Sequence, residues 1–235
     1  MLGFTEIPPQ PQFTLRVEGG SAFVNRNDQR IPGNTGTEFS MTDITGRGGF
    51  QFSRVELAWK KNEQEEWRLL YAPFRISGTG TLNGPVNFQD ATFSAGAASG
   101  TYQFNSYRLS YRRPWFASPN RNWKFGYTLK IRDAEVTLRQ GSLSRSELDP
   151  RGIVPLLHVS GYEDMGNGWS ATFDFDGLAG GPGRAFDIGV QLNKRINSHQ
   201  DLYIGLRTLE GGADVPRVYS FAWVNYASIG LAIRF

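Results

Sequence analysis

His158 and Ser160 stand two residues apart in a segment, 153–163, that alternates between apolar and polar side chains. Residues at i and i+2 share one face of a strand, so this pair lies together, opposite Leu157 and Val159. A turn at 164–167 brings Thr172 and Asp174 of the next segment alongside. A serine, an imidazole and a carboxylate within mutual reach are the parts of nucleophilic hydrolysis: the imidazole takes the hydroxyl proton and the carboxylate orients the imidazole. The competing reading makes His158 a polar interior residue satisfied by its neighbours. By the same parity, Arg16, Glu18, Arg54, Glu56, Arg108, Arg112, Lys124, Lys130, Asp174, Asp187 and Arg207 all face away from the Leu, Ile, Val and aromatic side of the chain. Such a set either lines a passage for small ions or solutes, or pairs into a network that fills the interior, because unpaired charge away from water is costly.

Other motifs carry less. Asp174-Phe175-Asp176-Gly177 invites calcium but lacks the acid spacing and distal glutamate of an EF-hand loop. It reads better as two inward acids near a tight turn, countering Arg184 and Arg207. Gly78-Thr79-Gly80 and Gly180-Gly181-Pro182-Gly183 precede no Lys-Ser/Thr and no helix, so they read as turns and not as phosphate loops. With no cysteine among 235 residues there is no disulfide or thiolate metal site, and no metal or cofactor is expected.

The elements that must position these residues are strands. From Trp123 to Ile131 the odd positions are Trp, Phe, Tyr, Leu and Ile, and the even ones are Lys, Gly, Thr and Lys. The same period of two runs through 184–195, 202–207 and the C-terminal segment. Turn residues between the runs predict ten strands, at 12–25, 49–61, 66–80, 99–113, 122–138, 153–163, 168–178, 184–196, 200–210 and 217–235. The connections alternate between short ones, at 62–65, 114–121, 164–167 and 197–199, and longer ones, at 26–48, 81–98 and 139–152. Two glycine-rich turns, Gly180–Gly183 and Gly211–Asp214, complete the second set. Short turns at one end and long loops at the other are the pattern of a membrane barrel. The expected fold is all-β, a single antiparallel up-and-down transmembrane β-barrel over 1–235 of about ten strands, with eight or twelve as alternatives. Residues 1–11 form an extended N-terminal segment.

Aromatic placement points the same way. Trp59, Trp67, Trp115, Trp123 and Trp169 gather at the short-turn end, as an interfacial girdle does, because an indole joins an apolar body to one polar handle. The polar face is rich in Gly, Ser, Thr and Ala with isolated charges, which suits a crowded interior better than a wetted surface. A ten-stranded barrel is only slightly wider than the eight-stranded kind that side chains fill, so a closed or very narrow lumen is expected. There is no apolar run of about 18 residues. No basic-then-apolar leader opens the chain, which reads as a mature form restarted with Met, its signal peptide absent. Lys and Arg number 25 against 22 Asp and Glu, for a net charge of +3. They are dispersed, which gives no nucleic-acid footprint.

Two resemblances sharpen this picture. The ending Ser228-Ile229-Gly230-Leu231-Ala232-Ile233-Arg234-Phe235 resembles the C-terminal strand of bacterial outer-membrane proteins, where the terminal Phe is an assembly signal. With Tyr102–Arg108, Asp174–Gly177, Gly183–Asp187, Arg207–Asp214 and Val218–Trp223, the chain resembles an uncharacterised family of Gram-negative outer-membrane barrels. The resemblance implies an outer-membrane location, insertion by the barrel-assembly machinery through Phe235, and no particular activity. The His-x-Ser order resembles that of outer-membrane lipid A deacylases, matched only at His158 and Ser160, in a chain longer than those small barrels. An inward pair would not reach an acyl chain.

The leading expectation is therefore an integral outer-membrane barrel, structural, interacting or narrowly porous, that contacts membrane lipids and lipopolysaccharide. Arg26, Arg30, Arg47, Arg145 and Arg151 in the loops suit phosphate oxygens, or are simply solvated. The alternatives are a lipid hydrolase using Ser160 and His158, and a soluble lipocalin-like carrier of an apolar ligand.

Overall fold

The structure is a computed structural model that describes residues 12–235; the expected N-terminal segment 1–11 lies outside them, as do the side chains of 148–151. Fourteen strands and one short helix follow in order: β1 (Phe13–Arg30), β2 (Phe39–Ser40), α1 (Thr42–Thr45), β3 (Phe50–Asn62), β4 (Glu65–Ala72), β5 (Arg75–Leu82), β6 (Val86–Phe88), β7 (Ala91–Phe93), β8 (Gly96–Ser118), β9 (Arg121–Gln140), β10 (Leu143–Gly166), β11 (Trp169–Gly180), β12 (Gly183–Arg195), β13 (Gln200–Asp214) and β14 (Tyr219–Arg234). Each barrel strand pairs antiparallel with its neighbour, and β14 closes on β1. Strands β4 and β5 both pair with β8 and form one stave, interrupted at Pro73 where no N–H is available. The barrel thus has ten staves, as the alternation predicts, and not eight or twelve. Phe13 and Phe235 exchange backbone hydrogen bonds of 3.0 Å at the seam, with their rings stacked at 5.8 Å.

Polarity runs inside out through the lower barrel. Phe125, Leu129, Ile188, Val190, Ile204 and Leu206 point outward and are exposed, Leu206 by 64%, whereas Arg108, Ser110 and Thr128 on the other parity are buried. A soluble carrier needs the opposite arrangement, which overturns the expectation of a lipocalin-like carrier. Trp123 to Ile131 rise at about 3.3 Å per residue. Tilted by about 40°, they give an apolar belt of roughly 20 Å, close to the height of a bilayer-facing band.

Above the belt the faces exchange character. On β8 the inward parity changes from Arg108 and Ser106 to Phe104 and Tyr102, and on β9 from Lys130 to Val136 and Leu138. Outward positions become polar there: Gln103 and Asn105 both donate to Asp133, and Arg75 donates to Gln103. This upper part is built like a soluble barrel, with an apolar cluster at its centre.

That centre is filled by the long connections. Ile31, Phe39, Met41 and Ile44 from one, and Leu82, Val86, Phe88 and Phe93 from the other, are buried against Val24, Ile76, Ala98, Leu138 and Val224 of the wall. The segments expected as outer loops at 26–48 and 81–98 are therefore largely an apolar plug. Gly78 and Gly80 are not a turn. They lie on β5 facing inward, where a Cβ on Gly80 would sit 2.0 Å from the Asp43 carbonyl oxygen, so only glycine lets α1 seat against the wall. Other expected connections are strand as well, among them 114–118 at the end of β8. Residues 139–152 are mostly the extended β9–β10 hairpin, with Leu143 opposite Gln140 and Asp149 opposite Ala134, and Gly211–Asp214 belong to β13. Turn-type composition misled in the latter two cases, because these strands stand clear of the belt and need no apolar face.

Candidate functional site

The lower lumen is crossed by a layer of paired charges carried on inward positions of the strands. Arg68 of β4 is fully buried. Its Nη1 donates to Asp174 Oδ2 at 2.5 Å and Glu56 Oε2 at 3.4 Å, and its Nη2 donates to Asp176 Oδ2 at 3.1 Å. Asp174 and Asp176 lie on β11, four staves round the barrel, so this guanidinium spans the lumen. Arg108 donates to Asp176 at 2.8 Å and Asp187 at 2.6 Å. Asp187 also accepts from Arg207 at 2.5 Å and lies 3.6 Å from Arg54, which in turn faces Glu18 at 3.7 Å. Nearer the turn end, Glu66 is held between Arg112 and Lys124. Arg16 is satisfied by amides, donating to Gln191 at 2.6 Å and Asn193 at 3.1 Å. Charge-assisted bonds of this density make a rigid septum: each carboxylate has a cation before it, which is what offsets the cost of taking both from water.

All eleven charged residues singled out from the sequence face this interior. Arg68, Glu66 and Asp176 complete the set. Glu66 and Arg68 alternate with Trp67, Leu69 and Tyr71 in the same period of two, which is the signal that marks them as inward.

The triad candidates are only half assembled. His158 Nδ1 meets Asp176 Oδ1 at 2.8 Å, so the orienting acid is Asp176, directly opposite His158 in register, and Asp174 instead serves Arg68. Ser160 Oγ accepts from Arg112 Nη1 at 3.3 Å. His158 Nε2 is buried with no hydrogen-bond partner. Both side chains point into the lumen, away from the belt that an acyl chain would occupy. His158, Asp174 and Asp176 also cluster closely enough to offer three metal-ligating atoms. The cation they share is the Arg68 guanidinium, which bonds to both carboxylates, so the donor set does not fit a resident metal.

Two cavities flank the septum. One of about 250 Å³ opens toward the turn end and is bounded by Arg16, Glu18, Glu66, Lys124 and Asp174. The other, of about 560 Å³, lies above, on the β8–β13 side, with Arg108, Lys130, Asp176 and Asp187 at its charged end.

At the loop end the arginines are engaged by neighbours. Arg26 donates to Asp28 at 2.6 Å, Arg47 to the Asn25 carbonyl at 2.7 Å, and Arg30 lies 3.6 Å from both Glu38 and Asp214. Arg145 donates to Asp90 at 2.5 Å, and that guanidinium holds the Asp90 carboxyl below the usual range. The side chain of Arg151 lies outside those described. The five tryptophans expected as a girdle ring the turn end: Trp59 and Trp67 stack at 6.2 Å, Trp123 Nε1 donates to Glu163 at 2.8 Å, Lys194 lies over Trp169, and Trp115 is 71% exposed.

No family model matches the chain, and no curated protein matches it by sequence. Among solved structures it is similar to the outer membrane protease OmpT from Escherichia coli, with a TM-score of 0.54 and 10% identity over 100% of this chain and 99% of that one. It is also similar to Neisserial surface protein A, at a TM-score of 0.39 and 11% identity over 95% and 97%. Outer membrane protein OprG from Pseudomonas aeruginosa gives a TM-score of 0.38 and 11% identity over 98% and 100%. At 10% identity the likeness to the protease is one of fold, a closed antiparallel barrel of the outer-membrane kind.

Proposed function

We propose that this chain is an integral barrel of the bacterial outer membrane whose lumen is closed, and that it serves as a rigid scaffold presenting its loop end outward as an interaction surface. The observation that carries this reading is the septum from Arg68 through Asp176, Arg108 and Asp187 to Arg207, backed by the apolar plug above it. Two independent closures stand in series, where a solute-selective pore needs a continuous wet path. The short-turn end then faces the periplasm, with the tryptophans at the inner headgroup level and Phe235 available to the barrel-assembly machinery. Membrane lipids surround the belt. Lipopolysaccharide would meet the upper rim, where Arg184 holds Glu210 in an exposed pair and Arg26 holds Asp28 in a half-buried one. The hydrolase reading has less support, because the hydroxyl of Ser160 is committed to Arg112 and the pair has no lipid access.

Planar-bilayer recording on the purified chain tests closure. The expected record shows no unitary current above background at any voltage tolerated by the bilayer. Reproducible steps from the wild-type chain would replace the scaffold reading with a pore.

A further inference from the structure

The upper cavity carries a chemistry that the septum does not use. Its walls are mainly apolar, from Phe104, Val136, Leu156, Leu178 and Leu209, with Arg132, Glu135, Glu147, Arg184 and Glu210 also on its border, and its floor is the charged layer. Within that floor Lys130 is exceptional. It is only 4% exposed, yet among the described residues its ammonium makes no hydrogen bond and no ion pair. Its one close partner is the ring of Phe104, 4.6 Å from Nζ. In register it stands between Arg108 on β8 and Val154 on β10, so its cross-strand neighbours are a like charge and an aliphatic group. Facing like charges destabilise a sheet pair. Asp176 and Asp187, the nearby acids, are already taken by Arg68, Arg108 and Arg207. A buried ammonium with no carboxylate in ion-pair contact, bordering a cavity, is a place prepared for an anion from outside.

The cavity also has a side door. Strand β10 pairs with β11 only from Leu157–Gly177 down to the turn. Above that point β10 stays with β9 as far as Leu143, while β11 stays with β12 as far as Gly180. The two hairpins part, leaving a seam with Ile153, Pro155 and Leu156 on one margin and Leu178 on the other. Pro155 has no N–H with which to rejoin the ladder. Ile153 is 69% exposed and lines the cavity, so the opening looks outward at the level of Ile131, the upper edge of the belt.

We infer that this cavity binds an amphipathic monocarboxylate of the fatty-acid class, its carboxylate on the Lys130 ammonium and its tail along the apolar walls, entering through the β10–β11 seam. One negative charge matches one unpaired cation. A dianionic phosphate would meet Asp176 and Asp187 as well, and a volume of about 560 Å³ lies in the range of small-molecule pockets. Entry from the membrane rests on the orientation proposed above; the binding site itself does not.

The test uses the full chain in amphipol, where no bilayer contributes, with 11-(dansylamino)undecanoate as the fluorescent probe. Saturable one-to-one binding is expected, displaced by dodecanoate and not by dodecanol. Lys130→Met should weaken it by about tenfold or more, the worth of a charge-assisted contact, and Lys130→Arg should retain most of it. Leu156→Trp adds bulk to the wall while leaving every ionic side chain of the layer in place, and should block binding even if Lys130→Met fails to fold. Equal affinity in Lys130→Met and wild type, displacement by dodecanol as strong as by dodecanoate, preference for dodecyl phosphate, or unimpaired binding in Leu156→Trp would each overturn the assignment. Repeating the titration in nanodiscs separates the route: binding in amphipol that is lost when the seam is sealed by lipid would refute entry from the membrane and leave the site standing.

Discussion

Replacing Arg68 with methionine should cost about 3–5 kcal/mol of barrel stability, the largest loss expected from any single lumen substitution. The guanidinium is fully buried and serves three carboxylates at once, with Ser110 Oγ accepting from Nε and Nη2 at 3.3 and 3.2 Å. Removing it leaves Glu56 without that cation and Asp174 with Arg207 at 3.8 Å, while Asp176 keeps Arg108 and His158. The penalty comes from stranded negative charge and not from lost packing, because methionine fills much of the same space. Adding Glu56→Gln and Asp174→Asn to Arg68→Met should therefore recover a large part of it. Urea unfolding from lipid vesicles measures both. A useful contrast is Arg184→Met, which breaks an exposed pair with Glu210 and should cost below about 1 kcal/mol. If Arg68→Met and Arg184→Met unfold at the same urea concentration, the septum is not what braces the barrel.

The second large effect is local. Gly80→Val should unseat α1, since the added Cβ would lie 2.0 Å from the Asp43 carbonyl oxygen and 2.7 Å from Ile44 Cα, both backbone atoms that a rotamer change cannot move. Overpacking of this kind costs about 1–3 kcal/mol, and here it falls on one turn of helix. The amides of Thr45 and Gly46, which donate to Met41 and Thr42 carbonyls at 2.8 and 3.0 Å, should then exchange with solvent roughly tenfold to a hundredfold faster. Gly84→Ala is the control, because a Cβ there meets nothing within 4 Å. Unchanged exchange at Thr45 in Gly80→Val would mean that the plug does not depend on this contact. The septum below is untouched by the substitution, so the barrel should stay folded.

How much of this was legible in the sequence follows from where each residue sits. In the belt, one face meets hydrocarbon and the other meets charge, so every strand there has to alternate, and Trp123–Ile131 or 202–207 announce it directly. The tryptophans mark the turn end for the same reason. Higher up, the constraint changes sign: Tyr102 and Phe104 share parity with Arg108, and Val136 and Leu138 share it with Lys130. The switch is written in the sequence, but a reading that assumes one polarity for the whole cylinder passes over it. The plug was out of reach for another reason. Phe39, Ile44, Phe88 and Phe93 sit in segments rich in Gly, Asn, Thr and Pro, and their burial is imposed by the wall they pack against, not by any period of their own. Asp176 was visible as an inward acid. That it, and not Asp174, orients His158 depends on strand register, which parity does not fix.

The polarity crossover can be read directly with single cysteines, since the chain contains none of its own. Leu129→Cys, Leu206→Cys and Thr79→Cys, each carrying a small fluorophore, would be refolded into vesicles with and without brominated acyl chains. All three positions face outward, the first two within the belt and Thr79 above it on β5. Strong quenching by bromine at 129 and 206, with none at 79, is the predicted result. A probe at Leu206 as unresponsive to brominated lipid as the one at Thr79 would contradict the arrangement from which the septum, the plug and the seam all take their meaning.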